Sequence, residues 1–490
     1  MEMPTRDFPL EVLLNIFNYV YQLNRTNDPP PFTAPKFVVR DDDEIAIVRS
    51  PALGPEVWES VDIRSPSLFP YALERVSAHW RDAISGLPHC WTRIVIFYDD
   101  KDFSIADSVR STIEFSRDTS PLEITVARRH STSFVGAPHE EKVLLRQIID
   151  LVAPHIHRCK SLVFSVAYPS SLPSLSADLY HAAPMLTTLS LEASLPSDLE
   201  LASHTTQQHE FPFPALKTLT LSGWTFLDLV ANARWWASRW ISYYIRSSTL
   251  RVANYSPSLA PSALDPHAIL IDAIPLLNNI ITVEFENTSF DCIVQPSDIL
   301  VPSVPSMQQL RLTDVDPKAT KTFIDTLCPT SLHLTNCGLL AKIPLGSFFS
   351  IYFKGLSDVQ GIVRALSSWK GEQLHFDHCT AFNDELLDAL GNSAPHPRTS
   401  KPLLTAQEMS CLDLVDCRGF SIAALKRMVQ RRKMFLAEHP VDEDDMLIGF
   451  RRAGIQITGR GVPDMTEDEM QWFKDNTHYF TWYGSQSLDG

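Results

Sequence analysis

The sequence predicts an α/β protein. A small helical region at the N-terminus is followed by an irregular repeat domain with a parallel sheet and then by a C-terminal cap. Three observations support this fold class. An amphipathic helical pattern opens the chain, short apolar strands recur across most of the remainder, and Pro is frequent (35) while Gly is scarce (17). This balance is typical of many short elements joined by proline-containing loops.

Length and charge restrict the classes of function. A chain of 490 residues favours two or more domains or one extended repeat array. With 44% hydrophobic and 20% charged residues it is expected to be globular. The formal charge of −16 argues against nucleic acid or an anionic membrane as the main partner, because both attract basic surfaces.

The cysteines and the N-terminus indicate a compartment. Eight cysteines are spread along the chain without a C-x-x-C pair, the first residues do not resemble a signal peptide, and no apolar run is long enough to cross a bilayer. We therefore expect a cytoplasmic or nuclear protein with free thiols and without a membrane partner.

Two amphipathic helices are predicted near the N-terminus. In residues 8–23, Leu13, Ile16, Phe17 and Val20 share one face. A second helix is predicted at about 69–85, ended by Gly86 and Pro88, and residues 93–97 (RIVIF) read as a strand. Between the helices, residues 24–67 read as a long loop with a triple proline and an acidic run. The predicted buried face of the second helix consists of Leu73, Val76, Trp80 and Ile84.

Short strands recur from there to about residue 420. PMLTTLSL (184–191), PALKTLTL (214–221) and PSMQQLRL (305–312) share the template Pro-x-apolar-x-x-Leu-x-Leu. A weaker apolar-x-apolar pair recurs at steps of 19 to 38 residues, most of them near the period of leucine-rich repeats. Such pairs are common in any strand-rich protein, so Leu250 and Ile351 are also compatible with chance. The first members are Leu162, Leu189, Leu219, Leu250, Val283, Leu310, Leu332, Ile351, Leu374 and Leu412.

The cysteine positions favour the repeat interpretation over an ordinary α/β domain. Cys337, Cys379 and Cys417 each follow the second apolar position of a pair by three residues. This is the Asn/Cys position of the repeat template, where a small side chain packs as the chain leaves the strand. The acidic tail, 434–490, is expected to cap the repeats, with Thr466 and Glu469 forming a capping box at the start of a helix that carries Met470, Trp472 and Phe473.

Two motifs carry a resemblance to a known family. FPLEVLLNIF (8–17) resembles the opening of an F-box, Leu-Pro-x-Glu-Ile-Leu-x-x-Ile-Phe, and VSAHWRDAISGLPHCWTRI (76–94) resembles its second half, Val-Cys-x-x-Trp-Arg…Pro-x-Leu-Trp-x-x-Ile. Both halves occur in order and precede repeats, a layout similar to that of F-box proteins of mushroom-forming fungi. The matching residues are Phe8, Pro9, Glu11, Val12, Leu13, Ile16, Phe17, Val76, Trp80, Arg81, Pro88, Trp91 and Ile94, while Ser77 and Cys90 depart conservatively.

The spacing of the two halves departs from the family. They are normally about a dozen residues apart, whereas 63 positions separate Phe17 from Trp80 here. Residues 24–67 are therefore an insertion, which the slow growth of loop-closure entropy makes tolerable. The predicted organisation is an F-box at 1–97 with this insertion, leucine-rich-repeat-like residues at 98–433, and an acidic cap or tail at 434–490.

The resemblance implies a substrate-recognition subunit of a Skp–cullin–F-box ubiquitin ligase. The F-box would bind a Skp-type adaptor and through it a cullin scaffold. The repeats would hold a protein target of unknown identity, and other subunits would perform catalysis. We therefore expect no catalytic, cofactor-binding or metal-binding residues. The expected adaptor-binding residues are Pro9, Leu10, Leu13, Ile16, Phe17, Val76 and Trp80, and the expected joint to the repeats is Trp91 with Ile94.

Two further interpretations stay open. The chain could be a repeat scaffold whose F-box is degenerate and no longer binds an adaptor. An enzyme with a site on the repeat surface has little support, because no nucleotide-binding, nucleophile or acid/base motif occurs.

Four local groups invite a specific function but favour a plainer one. His155, His157 and Cys159 lack a second ligand pair, and in the cluster of His375, His378 and Cys379 the repeat register already accounts for the cysteine. An aromatic helix around Trp235–Tyr244 is a recognition patch or, as we prefer, an oversized repeat helix. Basic residues in 424–435 favour a solvated helix face over a docking patch or nuclear signal. They are Lys426, Arg427, Arg431, Arg432 and Lys433.

Overall fold

The structure, a computed structural model, describes most of the chain. The chain forms two compact units: the first comprises residues 1–167, 171–174 and 178–188, and the second comprises 168–170, 175–177 and 189–490. In the described part, no helix is long and apolar enough to span a bilayer. The described residues are 9–26, 33–39, 45–51, 69–99, 105–117, 121–129, 137–175, 178–179, 182–195, 213–232, 248–255, 273, 277, 280–290, 307–327, 329–339, 345–346, 348–395, 402–438 and 455–484.

The fold is α/β, as predicted, and its main strands are all parallel. The described residues include fourteen such strands, three in the first unit and eleven in the second, together with eleven helices, an arrangement consistent with a solenoid-like fold. The helices are α1 (Leu10–Thr26), α2 (Tyr71–Glu74), α3 (Ala78–Ser85), α4 (Ile105–Phe115), α5 (Pro138–Val152), α6 (Gly223–Asn232), α7 (Pro317–Thr326), α8 (Val359–Leu366), α9 (Asp384–Gly391), α10 (Ile422–Glu438) and α11 (Glu467–Asn476).

The strands fall into three groups. β3 (Arg93–Phe97), β4 (Leu122–Ala127) and β5 (Cys159–Val166) belong to the first unit, and short antiparallel pairs occur separately. Those pairs are β1 (Thr33–Val39) with β2 (Ile45–Pro51) and β14 (Ser393–Pro395) with β15 (Pro402–Leu404). The second unit contains β6 (Thr188–Ala193), β7 (Thr218–Ser222), β8 (Thr249–Ala253), β9 (Thr282–Glu286), β10 (Gln309–Thr313), β11 (Ser331–Thr335), β12 (Ser350–Lys354), β13 (Gln373–Asp377), β16 (Cys411–Val415), β17 (Gln456–Val462) and β18 (Tyr479–Gly484).

The prediction of a single helix at about 69–85 is wrong. The segment contains two helices. It is divided into α2 and α3, because Ser77 adopts an extended conformation and its hydroxyl accepts a hydrogen bond from the Trp80 backbone N–H. Serine favours this N-cap position, where it satisfies a backbone donor at the helix start. Val76 consequently lies exposed at the break rather than on the predicted buried face. The predicted end at Gly86 is confirmed.

The segment between α1 and α2 contains more structure than the predicted loop. β1 and β2 pair antiparallel in unbroken register, from Thr33 opposite Pro51 to Val39 opposite Ile45. The sequence KFVV in β1 and IAIV in β2 are enriched in the β-branched residues that favour strands. The sequence VWESVDI (57–63) is compatible with a short strand or a lid over the neighbouring core, and these residues lie outside the described ones.

The ten predicted apolar pairs all begin inside parallel strands. Their first members lie in β5 to β13 and β16, and from β7 onwards each stands directly opposite the next: Leu219 faces Leu250, which faces Val283. The ladder continues through Leu310, Leu332, Ile351, Leu374 and Leu412. All ten first members are fully or almost fully buried. Leu250 and Ile351 are therefore part of the recurring pattern and not chance matches.

A left-handed turn ends each strand from β8 to β13, and also β16. The residue after the strand has positive φ, between 47° and 66°, and its backbone N–H donates to a carbonyl at or near the end of the next strand, at 2.8–2.9 Å. Asparagine, aspartate and glycine adopt this conformation at the least cost. At Gly355 a Cβ atom would approach the Asn336 side-chain oxygen to 2.1 Å, so any other residue would force that side chain to shift. The turn residues are Asn254, Asn287, Asp314, Asn336, Gly355, His378 and Asp416, and Gly461 adopts the same conformation in β17.

The predicted cysteine register is confirmed by these turns. Cys337, Cys379 and Cys417 directly follow a turn residue, and all three are buried. The Cys337 thiol donates to the Leu312 carbonyl at 3.3 Å, a bond to the preceding strand. Each cysteine thus packs where the chain leaves the strand.

The tail continues the sheet. β17 and β18 extend the parallel order beyond β16, so residues 455–484 add two further strands. The predicted capping box is confirmed at the start of α11, since the Thr466 hydroxyl accepts from the Glu469 N–H and the Glu469 carboxylate accepts from the Thr466 N–H. The acidic run at 442–445 lies outside the described residues.

The basic helix α10 departs from the predicted solvated face at Arg432, while Lys426, Arg427, Arg431 and Lys433 are partly or fully exposed. The Arg432 guanidinium is buried and donates to four backbone carbonyls, those of Leu390, Thr405, Ala406 and Gln407, at 2.7–3.1 Å. Burial lowers the pKa of Arg432 to about 10. The neighbouring cations also bind within the unit: Arg427 and Arg431 pair with Asp388, Lys433 donates to Asn476, and Lys426 lies over the Trp472 ring.

Candidate functional site

Helix α1 buries one stripe of apolar residues. Leu13 and Phe17, four residues apart and thus on one helix face, are completely buried. The Phe17 ring meets the Trp80 ring edge-on, with centroids 5.2 Å apart. Ala83, Ile84, Cys90 and Trp91 complete this cluster, which ties α1 to α3 and to the 3₁₀ turn at Pro88–Trp91.

A second stripe on α1 is apolar and exposed. Val12, Ile16 and Tyr19 have 40%, 37% and 63% of their surface in solvent. Their i, i+4, i+7 spacing aligns them along the helix beside the buried stripe. We call these three residues the α1 stripe. Leu10 at the start of α1 and Val76 at the α2–α3 break are exposed as well. Exposed apolar side chains aligned on one helix face mark an interaction surface more often than scattered ones do.

The predicted adaptor-binding residues separate into two sets. Pro9, Leu10, Ile16 and Val76 are exposed, whereas Leu13 and Phe17 are completely buried and Trp80 is half-buried. Only the exposed set is available for direct contact with a partner, while the buried set holds the helices together. The sequence prediction missed Tyr19 and used Val12 only as a motif match. Their spacing with Ile16 was the available signal.

The predicted joint residues lie where α3 leads into the first strand. The Trp91 indole N–H donates to the Ile84 carbonyl at 2.9 Å, and its ring packs 5.0 Å from Phe115 at the end of α4. Ile94 is buried in β3 opposite Ile124 of β4. Trp91 therefore contacts both the N-terminal helices and the first helix after β3.

The second unit presents a different surface on its strands. In β8 to β13 and in β16, the second and fourth residues are buried, and Phe285 stacks on Phe323 of α7 at 4.0 Å, so these positions face the helices. The third residues alternate to the other side and are only partly buried or exposed. We call the face that they form the open face. Its central row runs Arg251, Glu284, Arg311, His333, Tyr352, His375, Asp413 and Thr458 in direct register.

Rings and ion pairs cross this row. His333 stacks on Tyr352 with centroids 5.1 Å apart, and His375 Nδ1 lies 3.1 Å from an Asp413 oxygen. Burial, reinforced by the charges of Arg311 and His375, lowers the pKa of His333 to about 3, so this ring is neutral at pH 7.

One buried carboxylate organises the neighbouring side chains. Asp377 accepts from the Tyr352 hydroxyl at 2.5 Å and pairs with Lys354 at 2.9 Å. Although burial opposes ionisation, bonds from Tyr352, His378 and Lys354 hold the pKa of Asp377 below its ordinary value. Side chains fixed in advance lose less conformational entropy on binding a partner.

The histidine and cysteine groups have ordinary structural surroundings. Cys159 is buried at the start of β5 and lies within 3.5 Å of the His155 carbonyl, while His157 bonds to the Pro154 carbonyl. Among the described residues, no three His, Cys, Asp or Glu side chains converge as metal ligands would. Burial raises the pKa of the Cys337 thiol to about 11 and that of Cys417 to about 12. These thiols are protonated at pH 7 and are poor nucleophiles.

The aromatic helix proposed around Trp235–Tyr244 lies outside the described residues.

Compared with models of known protein families, the chain matches none, and no curated protein is significantly similar to it.

Proposed function

We propose that the chain is a substrate-recognition subunit of a Skp–cullin–F-box ubiquitin ligase. The N-terminal helices would form an F-box that binds a Skp-type adaptor and through it a cullin scaffold. The strands and helices that follow would form an irregular leucine-rich-repeat domain that holds a protein target, with β17 and β18 at its C-terminal end. Ubiquitin transfer would be performed by other subunits of the complex.

The observation that carries the proposal is the α1 stripe. Leu13 and Phe17 already form the buried face of α1, so three further apolar residues are not needed to pack this helix within the chain. Burying Val12, Ile16 and Tyr19 against a partner would release apolar surface from water at about 25 cal/mol per Å². The motif resemblance supports a Skp-type adaptor as the proposed partner.

Charge insertion into the α1 stripe tests adaptor binding. We expect Ile16→Asp to weaken the affinity for a purified Skp-type adaptor at least about tenfold, since it places an unpaired charge in an apolar contact. Val143→Asp on α5 is the matched control, because Val143 is equally apolar and exposed in the same unit. Equal affinities of Ile16→Asp and Val143→Asp would refute adaptor binding through this stripe.

The open face is the proposed contact surface for the target. Tyr352 and His375 present half-buried rings that the carboxylates of Asp377 and Asp413 hold in place, and aromatic side chains are common anchors at protein interfaces. In cells with the proteasome inhibited, Ile16→Asp should still capture the target but no longer support its ubiquitination. Tyr352→Ala should lose capture itself. If both variants lose capture equally, the two surfaces do not have separate roles.

The proposal also assigns a role to the joint residue Trp91, which would fix the orientation of the N-terminal helices. Trp91 bridges the N-terminal helices and the residues after β3, so it would hold the adaptor-binding helices at a fixed orientation to the first strands. Trp91→Gly should reduce target ubiquitination more than adaptor affinity. Equal loss of both would show that the residue matters for folding alone.

The insertion favours a second candidate function. β1 and β2 lie in the segment between the two halves of the proposed F-box. If this hairpin covers the α1 stripe, the chain would be a protein-interaction scaffold without an adaptor. Deleting residues 27–67 distinguishes the two: adaptor binding that appears only after the deletion would support the scaffold, and binding by the full chain would support the ligase subunit.

A further inference from the structure

Among the described residues, the last strand of the second unit has an open edge. β18 pairs with β17 in unbroken register over five residues, from Tyr479 opposite Gln456 to Tyr483 opposite Arg460. No described strand pairs with its other side. An edge of this kind carries backbone donors and acceptors that can extend the sheet.

The direction of these backbone groups follows from one hydrogen bond. The His478 N–H donates to the Ile455 carbonyl, toward β17, at 3.0 Å. Because backbone groups alternate sides along a strand, those of residues 480 and 482 also point toward β17. The N–H and C=O groups of Tyr479, Thr481 and Tyr483 therefore point away from β17, at the open edge.

This edge lacks the features that usually protect one. β18 reads YFTWYG, with no lysine, no proline and no charge. Its two outer tyrosines are 50% and 56% exposed. Natural sheets commonly place charges, prolines or bulges at such edges to prevent pairing with another chain. A long uncharged aromatic edge is the opposite arrangement.

We propose that β18 is a homodimer interface, in which a second copy of this chain pairs antiparallel about a two-fold axis at Thr481. In that register Tyr479 lies opposite the partner's Tyr483, Phe480 opposite the partner's Trp482, and Thr481 opposite its own equivalent. Aromatic pairs and Thr–Thr pairs directly opposite each other stabilise antiparallel strands. The same register brings together the three residues whose backbone groups point outward, so the side chains and the hydrogen bonds agree.

Charge favours a second copy approaching at this strand. Two copies that each carry a formal charge of −16 repel each other over most approaches, and an uncharged strand avoids like charges in direct opposition. The two-fold pairing uses the same strand from each copy and closes the assembly at two. Five paired residues form a small interface, so we infer a weak dimer with a dissociation constant on the order of micromolar.

The mass of the full-length chain in solution tests the proposal. Sedimentation equilibrium from about 1 to about 100 µM should show the average mass rising from 55.2 kDa toward twice that value. Thr481→Lys should hold the mass at 55.2 kDa, because it opposes two lysines at the axis. Thr481→Val should still dimerise. Gln471→Lys on α11 adds the same charge outside β18 and should dimerise as the unchanged chain does.

Two further measurements separate loss of the interface from loss of the fold. Thr481→Pro removes only an N–H that points away from β17, so it should abolish the dimer while the unfolding midpoint changes little. On dimerisation, hydrogen exchange should slow at the amides of Tyr479, Thr481 and Tyr483 and stay constant at those of Phe480 and Trp482. A chain that stays monomeric throughout the range, or a dimer that survives both Thr481→Lys and Thr481→Pro, would overturn the proposal.

Discussion

Helices α1 and α10 are both seventeen residues long but differ in which side chains they bury. Helix α1 leaves Val12, Ile16 and Tyr19 in solvent, whereas α10 encloses the Arg432 guanidinium. In α10 four carbonyls accept the guanidinium hydrogens, so burial leaves few donors unsatisfied. In α1 the apolar residues outnumber the positions that the neighbouring helices can cover. The surroundings of a residue therefore decide its burial, and an unmatched apolar stripe points to a partner.

The largest expected effect is on the buried stripe of α1. Phe17→Ala should lower the free energy of unfolding by about 3–5 kcal/mol, because it removes a fully buried ring and leaves a cavity beside Trp80. Denaturant titration of the full chain measures this loss. Phe349→Ala, at an exposed phenylalanine, is the control and should cost well under half as much. A similar cost at both sites would contradict the assignment of Phe17 to a core.

The buried charge of α10 should come next. Arg432→Met keeps an unbranched apolar stem but leaves four carbonyls without their donors, and we expect a loss of about 2–3 kcal/mol. Arg431→Met is the matched control one residue away. Its ion pair with Asp388 is about 40% exposed on both sides, so its loss should cost less than about 1 kcal/mol. If the two variants give equal unfolding curves, the buried Arg432 guanidinium is no more important for stability than the exposed Arg431. The contrast between α1 and α10 would then not hold.

A smaller effect concerns another polar group that the second unit encloses. The pKa of His333 falls to about 3 in the folded chain, from an ordinary value of 6.5. The native state therefore favours the neutral ring, so its contribution is complete above pH 6.5 and is lost as the pH falls toward 3. Between pH 7 and pH 5 we expect about 1–2 kcal/mol of stability to be lost through this group. His333→Gln should flatten that part of the pH profile, and an unchanged profile would contradict the prediction.

The smallest expected effect on stability is at the α1 stripe. Ile16→Ser should change the free energy of unfolding by no more than about 0.5 kcal/mol, because the side chain is already in solvent. Its affinity for a Skp-type adaptor should nevertheless fall. A large destabilisation would show that Ile16 is covered within the chain, and the difference between α1 and α10 would then disappear.

Strand positions were predictable from the sequence, because the burial of alternate residues leaves a period-two pattern. Even Leu250 and Ile351, ambiguous alone, take their places in the ladder. β18 was not predicted as a strand, since its aromatic residues lack the proline-led template. Ser77, a favourable N-cap residue, indicated the break between α2 and α3. The apolar residues on both sides of Ser77 keep a helical spacing, however, so the segment was predicted as one helix.

The site was predictable only in part. The motif located Leu13, Ile16 and Phe17 on one helix, but helical periodicity cannot decide which of two adjacent stripes is buried. That choice depends on Trp80 and Trp91, which are more than sixty residues away along the chain. The burial of Arg432 was not predictable either, because the four carbonyls around it belong to loops and helix ends whose positions no local pattern encodes.

The left-handed residue after each of the strands β8 to β13 and β16 has a consequence for how this chain can change over evolutionary time. Because the backbone N–H at each such residue bonds at or near the end of the next strand, it resets the chain direction independently of the loop that follows. Loops of unequal length can therefore be exchanged, lengthened or recombined between two of these residues without disturbing the neighbouring strands. Asn287 and Asp416 are thus natural splice points, at which whole segments could be transplanted between such chains.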